Sequence, residues 1–405
     1  MIYKSTETSL EETLMSFTVG YCTNVHAGMD LPTIRENLLQ HAVPVRASLP
    51  ADAPLGVGLW LPAQAANECL SEGVEGLRAF LEEHRLEAFT FNGFPYDNFH
   101  QAVVKHRVYE PTWWEPARLS YTKQLAVILS ELLPATQQVG SISTLPIGWG
   151  GGQVSEHQLE TAAANLRELA EFLAALEART GRRIVVAIEP EPGCLLQTVE
   201  DVVQWFTDRL PDALHRRHLT VCHDVCHSAV MMESQDEVLR RYATAGITIG
   251  KVQISSAPVV EWDAMSIGRR HEAIQQLSGF AEDRYLHQTG RLRADHSFEL
   301  AEDLPELLSP LPISGDPAHG DKRWVVHFHV PIFLERFGHL TTSQEEVREC
   351  LRSLFRTPSG IDFTGHFEVE TYAWTVLPDA MRKRTLAEDI SEELRWLRNE
   401  LIACV

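Results

Sequence analysis

Short apolar runs rich in Val and Ile alternate with longer amphipathic runs along most of the chain. That pattern predicts repeated strand–helix units and a parallel sheet. Strands are expected at 17–25, 55–61, 87–92, 138–145, 184–189, 219–224, 247–255 and 366–371. Helices are expected at 31–48, 64–84, about 117–133, 155–180, from Thr198 onward, 234–245 and 385–402. The clearest is 155–180, where Leu159, Ala163, Leu166, Leu169, Ala170, Leu173 and Leu176 fall on one face at helical spacing. Strand–helix units repeated in this way fit an α/β fold of the (β/α)8 TIM-barrel type.

The alternation is interrupted at about 256–345. That stretch holds polar residues around Arg291, Arg293 and Asp295, then a strand-like run from Trp324 to Ile332. A helix is predicted just beyond it, at 343–355. We read 16–405 as a single barrel domain in which about 256–345 is an insertion after strand seven, forming a small β-subdomain or lid. A strand count off by one is the alternative. Residues 1–15 read as a polar leader; Glu11 and Glu12 replace the basic start and apolar core of a signal peptide.

Composition narrows the partners. The chain has 405 residues, 44% hydrophobic and 22% charged, as in ordinary globular proteins. Its net charge of -21 repels phosphate backbones and anionic lipid surfaces, so bulk nucleic-acid binding is not expected, and no stretch approaches the ~20 apolar residues of a membrane helix, so membrane insertion is not expected either. Seven scattered cysteines suggest a reduced, cytoplasmic chain and not a disulfide framework. Cys222 and Cys226 are four apart with no second pair at zinc-finger spacing, which argues against a structural zinc–thiolate site. A homo-oligomer is compatible with this pattern and not required by it.

Active sites of TIM barrels lie where strands end and their following loops begin. Three predicted strand ends carry carboxylates: Glu189, Asp224 and Glu370. A carboxylate at the end of an apolar strand is costly unless paired, hydrogen-bonded or metal-bound. Carboxylates and imidazoles converging on one point suit Zn²⁺ or Mn²⁺, whereas an all-oxygen site suits Mg²⁺. In the Asp224-Val-Cys-His227 segment, His227 sits in the turn after the strand and can face the same cleft, or simply bond a backbone carbonyl. Strand alternation puts Glu368 and Glu370 on one face, and likewise His327 and His329.

Other strand ends supply polar and aromatic groups. His26 follows the first strand and Trp149 the fourth. The third opens into an aromatic loop, Phe91 to Trp114, whose Asn92 and His100 are the polar members expected nearest a ligand. Aromatic residues there either wall a pocket or anchor a long loop. Gly148 to Gly152 lacks the Lys-Ser or Lys-Thr of a Walker loop, so a flexible turn is the reading preferred to a phosphate site. Lys251 and Lys322 are either partners for an anionic substrate or solvated side chains.

These motifs resemble the xylose isomerase-like TIM-barrel superfamily of sugar isomerases, epimerases and endonuclease IV-type enzymes. Ala187-Ile-Glu-Pro-Glu-Pro192 resembles its strand-five motif, Asp224-Val-Cys-His-Ser228 its strand-six motif and Val369-Glu-Thr371 its last motif. The resemblance implies metal ligation by Glu189, Asp224 and Glu370. It departs at strand seven, where Gln253 of Val252-Gln-Ile254 stands at the family's usual His. The fourth ligand is then either Gln253 through its amide oxygen or His329 from the interrupted stretch. The whole chain also resembles the EboE proteins of bacterial metabolite-trafficking clusters, through Gly20-Tyr-Cys-Thr-Asn-Val-His26, Thr90-Phe-Asn-Gly-Phe-Pro95, Leu145-Pro-Ile-Gly-Trp149 and His327-Phe-His-Val-Pro331.

The expectation that follows is a divalent-metal isomerase or epimerase acting on a small sugar, cyclitol or related polyol. Glu189, Glu370, His227 and, less centrally, Glu191 would carry the chemistry. His26, Asn92, His100 and Trp149 would contact the substrate. Two other readings stand beside it: a metal-dependent phosphodiesterase of the endonuclease IV type, and a non-catalytic metabolite-binding protein.

Overall fold

The computed structural model describes residues 17–50, 53–308, 316–356, 360–370, 377–378, 381 and 384–404. The polar leader at 1–15 and Thr371 of the last strand motif lie outside these. Eight strands close a parallel barrel, as the alternation predicts: β1 (Thr18–Cys22), β2 (Leu55–Leu59), β3 (Leu86–Asn92), β4 (Val139–Thr144), β5 (Arg183–Ile188), β6 (Leu219–Asp224), β7 (Ile249–Ile254) and a last strand at His366–Val369. The last strand closes the ring, pairing with β7 on one side and β1 on the other.

The helix at Glu156–Thr180 shows how local sequence sets these units. Ser155 and Gln158 form a capping box at its start, and Gly181 ends it in the left-handed conformation at φ 70°. Its buried face is Ala162, Ala163, Leu166, Leu169, Ala170, Leu173 and Leu176, while Leu159 is only half-buried. The run read as one helix over 64–84 is two helices, Ala63–Glu72 and Glu75–Glu83. Gly73, at φ 93°, breaks it, a backbone conformation that a side-chain-bearing residue avoids.

Between β7 and the helix Gln344–Phe355 the chain forms six further strands. They are β8 (Pro258–Glu261), β9 (Thr289–Arg293), β10 (Phe298–Ala301), β11 (Asp321–Val326), β12 (Arg336–Phe337) and β13 (Leu340–Thr342). The closing barrel strand His366–Val369 is therefore β14. The six form one antiparallel sheet in the order β10-β9-β11-β8-β13-β12. This sheet has its own core, built on Val260, Trp262, Leu277, Phe280, Trp324 and Phe328. Helix Gln344–Phe355 then returns to the barrel wall, packing on helices Gln235–Thr244 and Leu386–Cys404. The run Trp324–Ile332 is strand only as far as Val326. The pairing with the β9 side runs one residue further, His327 N–H donating to Gln288 O at 2.8 Å, and beyond it Val330 N–H donates to Ser256 O at 2.9 Å, just after β7.

Inside the barrel, alternate residues of β14 mark three levels. His366 accepts or donates at its Nδ1 with Ser141 Oγ, 2.9 Å away, and Ser141 Oγ also donates to Thr90 at 2.8 Å. One level up, Glu368 pairs with Lys251 and accepts from Asn92 Nδ2 at 2.9 Å, while Asn92 Oδ1 accepts from Lys251 at 3.1 Å. Both ions are fully buried. Gly58 makes room for them, since a Cβ there would overlap the Glu368 carboxylate. Glu370 forms the third level at the mouth.

Lys251 is thus neither solvated nor free to meet a substrate. Burial pushes its ammonium toward neutrality, and the Glu368 carboxylate outweighs burial and holds its pKa high. Removing one member of a buried pair strands the other. Lys251→Met is expected to lower unfolding free energy by about 3–5 kcal/mol, the scale for an orphaned buried charge. Guanidinium unfolding of the variant checks this, and an unchanged midpoint would contradict it.

Candidate functional site

At the barrel mouth each acid is placed by the end of its own strand. Glu189 directly follows β5, and its N–H still bonds Thr144 O at 2.9 Å, so the strand's register carries its side chain inward. Glu370 N–H bonds Ile254 O at 3.1 Å in the same way. Asp224 ends β6 and caps the helix Val225–Val230, accepting at Oδ1 from His227 N–H at 3.0 Å and from Ser255 Oγ at 2.7 Å. One ligand oxygen from each of Glu189, Asp224 and Glu370 lies within 4.8 Å of the others.

Asp224 Oδ2 is buried and accepts no hydrogen bond, and neither does Gln253 Oε1. Both are lone-pair atoms with no proton to give, at a point where three acids converge. Gln253 donates its Nε2 to Asn92 Oδ1 at 3.3 Å, which leaves the amide oxygen as the atom available for ligation. His329 donates Nδ1–H to Glu370 O at 3.1 Å and turns Nε2 toward Asp224 Oδ2, 3.9 Å away. The residues present therefore fit a divalent cation, with His329 close to Asp224 and Gln253 lining the same cavity as Glu189 and Glu370.

The histidines form a second set. His227 Nδ1–H donates to Pro190 O at 2.8 Å. His227 therefore does bond a backbone carbonyl, through one nitrogen, while the other faces the cleft. That other nitrogen, Nε2, lies 3.1 Å from His327 Nε2. His327 in turn gives its Nδ1–H to Gln288 Oε1 at 2.7 Å, and Gln288 is held by donating to Tyr109 OH at 3.0 Å and Pro192 O at 3.1 Å. With each ring's proton held on Nδ1 by its acceptor, two neutral rings would oppose lone pairs; one shared proton or one cation satisfies the contact. Ligand atoms of Glu191, His227 and His327 also lie within 4.8 Å of one another.

Burial and charge push these groups apart in acidity. Burial, then the Asp224 carboxylate, raise Glu189 to about 7 against the pull of His227. Burial and the neighbouring Glu189 and Asp224 raise Glu370 well above the usual carboxylate range. Burial also opposes ionisation of Asp224, but His227, His329 and the Ser255 hydrogen bond outweigh it and hold Asp224 low. Burial disfavours charge on His227, and Asp224, Glu191 and Glu189 reverse that and raise it. Burial lowers His329 to about 4 and depresses His327 further below its ordinary value, with the charge of His227 adding to the latter.

These groups adjoin a cavity of about 630 Å³, counting its mouth open to solvent. Of the residues singled out from sequence, Glu189, Glu191, His227, Gln253, His327, His329, Glu370 and Asn92 line it, while Asp224 is buried beside it and is not part of its lining. Asn92 does so with its amide already committed to Glu368 and Lys251. Three expected substrate contacts are absent from the lining. His26 instead meets Tyr21 OH at 3.1 Å and stacks on His41, beside a separate small cleft. His100 bonds Asn24 O at 2.7 Å and packs on Trp60. Trp149 stacks behind Tyr109 at 4.9 Å. Tyr109 belongs to the aromatic loop that the sequence offers as a pocket wall, and it lines the cavity; its hold on Glu191, and that of Gln288 on His327, have no local sequence signal.

Two solved structures share this architecture. A xylose isomerase-like TIM barrel protein from Mycobacterium smegmatis, in complex with magnesium, aligns at TM-score 0.53 and 11% identity, covering 96% of this chain and 98% of its own. An L-ribulose 3-epimerase aligns at TM-score 0.50 and 11% identity, covering 95% of each chain. No curated protein matches in sequence. The family model described as the xylose isomerase-like TIM barrel matches residues 56–282, more than half of the chain, and the chain belongs to that family.

Proposed function

We propose that this is a divalent-metal isomerase or epimerase acting on a small molecule with neighbouring hydroxyl and carbonyl oxygens, of the sugar, cyclitol or polyol class. The observation that carries the reading is the meeting of Glu189, Asp224 and Glu370 beside two buried acceptor atoms, Asp224 Oδ2 and Gln253 Oε1, that no donor satisfies. The three carboxylates would hold the ion, with Gln253 or His329 beside them. Zn²⁺, Mn²⁺ and Mg²⁺ all suit such donors. When bound, the ion supplies Lewis acidity to adjacent substrate oxygens.

His227 is the proposed proton carrier. Its Nδ1–H is fixed on Pro190 O, so Nε2 faces the cavity as the atom that takes up or returns a proton. Glu191 lies on the same wall, its acidity weakened by burial, and accepts from Tyr109 OH at 2.7 Å. Two proton-holding groups side by side suit a reaction that moves one proton between neighbouring atoms. The resemblance to the EboE proteins supports a role in a bacterial pathway of metabolite synthesis and traffic, and a cytoplasmic location is part of the same proposal. No helix of the described residues is long and apolar enough to cross a membrane.

A second reading, a metal-dependent phosphodiesterase, is favoured by the second ligand group of Glu191, His227 and His327. The isomerase reading predicts one ion per chain after dialysis, and the hydrolase reading more than one. Asp224→Ala should bring the content to zero while the far-ultraviolet spectrum still reports a folded barrel. Stoichiometric metal retained by that variant would sink the assignment.

Metal uptake should also be linked to pH. Glu189, raised to about 7, and Glu370, raised well above the usual carboxylate range, hold protons that a cation must displace. Affinity should therefore weaken as pH falls through about 7. Calorimetric titration near neutrality in two buffers of unlike ionisation enthalpy should show net proton release. Buffer-independent heats would contradict it.

A further inference from the structure

The cavity above the carboxylates has two unlike ends. Its floor is acid and imidazole. The rest of its lining includes the apolar residues Phe94, Phe99, Val108, Tyr285 and Leu286. This wall is assembled from two distant segments, the loop after β3 and the stretch of the second sheet's subdomain just before β9. Phe99, Tyr285, Trp60 and Val104 make an apolar cluster separate from the barrel core, with Val108 packed against it. The segments are fastened together. Val104 N–H and Lys105 N–H both donate to Arg284 O, at 2.8 and 3.0 Å, and Lys105 Nζ pairs with Asp303 at 2.5 Å.

The polar atoms along this wall already have partners. Lys105 has Asp303, the Tyr109 hydroxyl has Glu191 and Gln288, and the Tyr285 hydroxyl has the Arg284 guanidinium. A free sugar or polyol carries a hydroxyl on nearly every carbon. Each one pressed against such a wall gives up its hydrogen bonds to water with none in return, which weakens binding. An apolar or aromatic group seated there gains instead. We propose that the substrate is amphiphilic: an oxygen-rich head sits over Glu189, Asp224 and Glu370, and an apolar or aromatic body lies against Phe94, Phe99, Val108 and Leu286.

This inference rests on the metal-dependent reading of the floor. Hydroxamates test it, because they present two neighbouring oxygens on a head that is constant while the body varies. Protein loaded with Mn²⁺ or Zn²⁺ is titrated calorimetrically with acetohydroxamate, benzohydroxamate and xylitol. Benzohydroxamate should bind about tenfold tighter than acetohydroxamate or better, the scale of burying one ring. Val108→Asn should pull that ratio toward one at unchanged metal content. Leu286→Asn, checked for folding by circular dichroism, should do the same. Equal affinities of the two hydroxamates on loaded wild-type protein, or xylitol binding more tightly than benzohydroxamate, would overturn this proposal alone. A protein that takes up no cation and binds neither hydroxamate would overturn the metal reading and this proposal with it.

Discussion

Three carboxylates buried within 4.8 Å of one another cannot all be ionised without a compensating positive charge. That constraint organises the mouth of the barrel. The nearest buried ammonium, Lys251, lies one level below and is already paired with Glu368. Protons therefore occupy part of the site, as the raised pKa values of Glu189 and Glu370 express, or a cation does. Asp224 escapes protonation because Ser255, the His227 amide and the imidazoles favour its charged form. The fold brings this about with ordinary means: three strands end at the same height, and the alternation of β14 stacks His366, Glu368 and Glu370 into successive levels.

The two halves of the chain contribute different chemistry. The barrel strands bring acids and the Gln253 amide. The segment leaving the second sheet after β11 brings His327 and His329 over them, and the same subdomain helps to roof the cavity. The floor is thereby closed from above by groups that could not have come from β7 itself. In the proposed metal site, either Gln253 at the end of β7 or His329 beyond it would take the fourth position.

The fold was legible because the barrel repeats one pattern. Val and Ile runs of strand length, separated by helices with caps such as Ser155 and Thr198, leave few alternatives. The three acids were legible because a carboxylate ending an apolar strand stands out in sequence. His26, His100 and Trp149 were misplaced for one reason: a strand end sets where a residue begins, but the loop beyond sets where its side chain goes. Each of the three is held by a local neighbour, namely Tyr21, the Asn24 carbonyl and Tyr109. The Lys251–Glu368 pair was hidden because its partners are 117 residues apart. The Gln288–His327 contact, between two segments of the second sheet's subdomain, leaves no periodic trace either.

Anomalous diffraction from crystals grown with Mn²⁺ or Zn²⁺ tests the central claim most directly. The account predicts a metal peak about 2.0–2.2 Å from carboxylate oxygens of Glu189, Asp224 and Glu370, the distance usual for such ligands. A fully loaded crystal with no peak at these three residues, or with density only between His227 and His327, would contradict it.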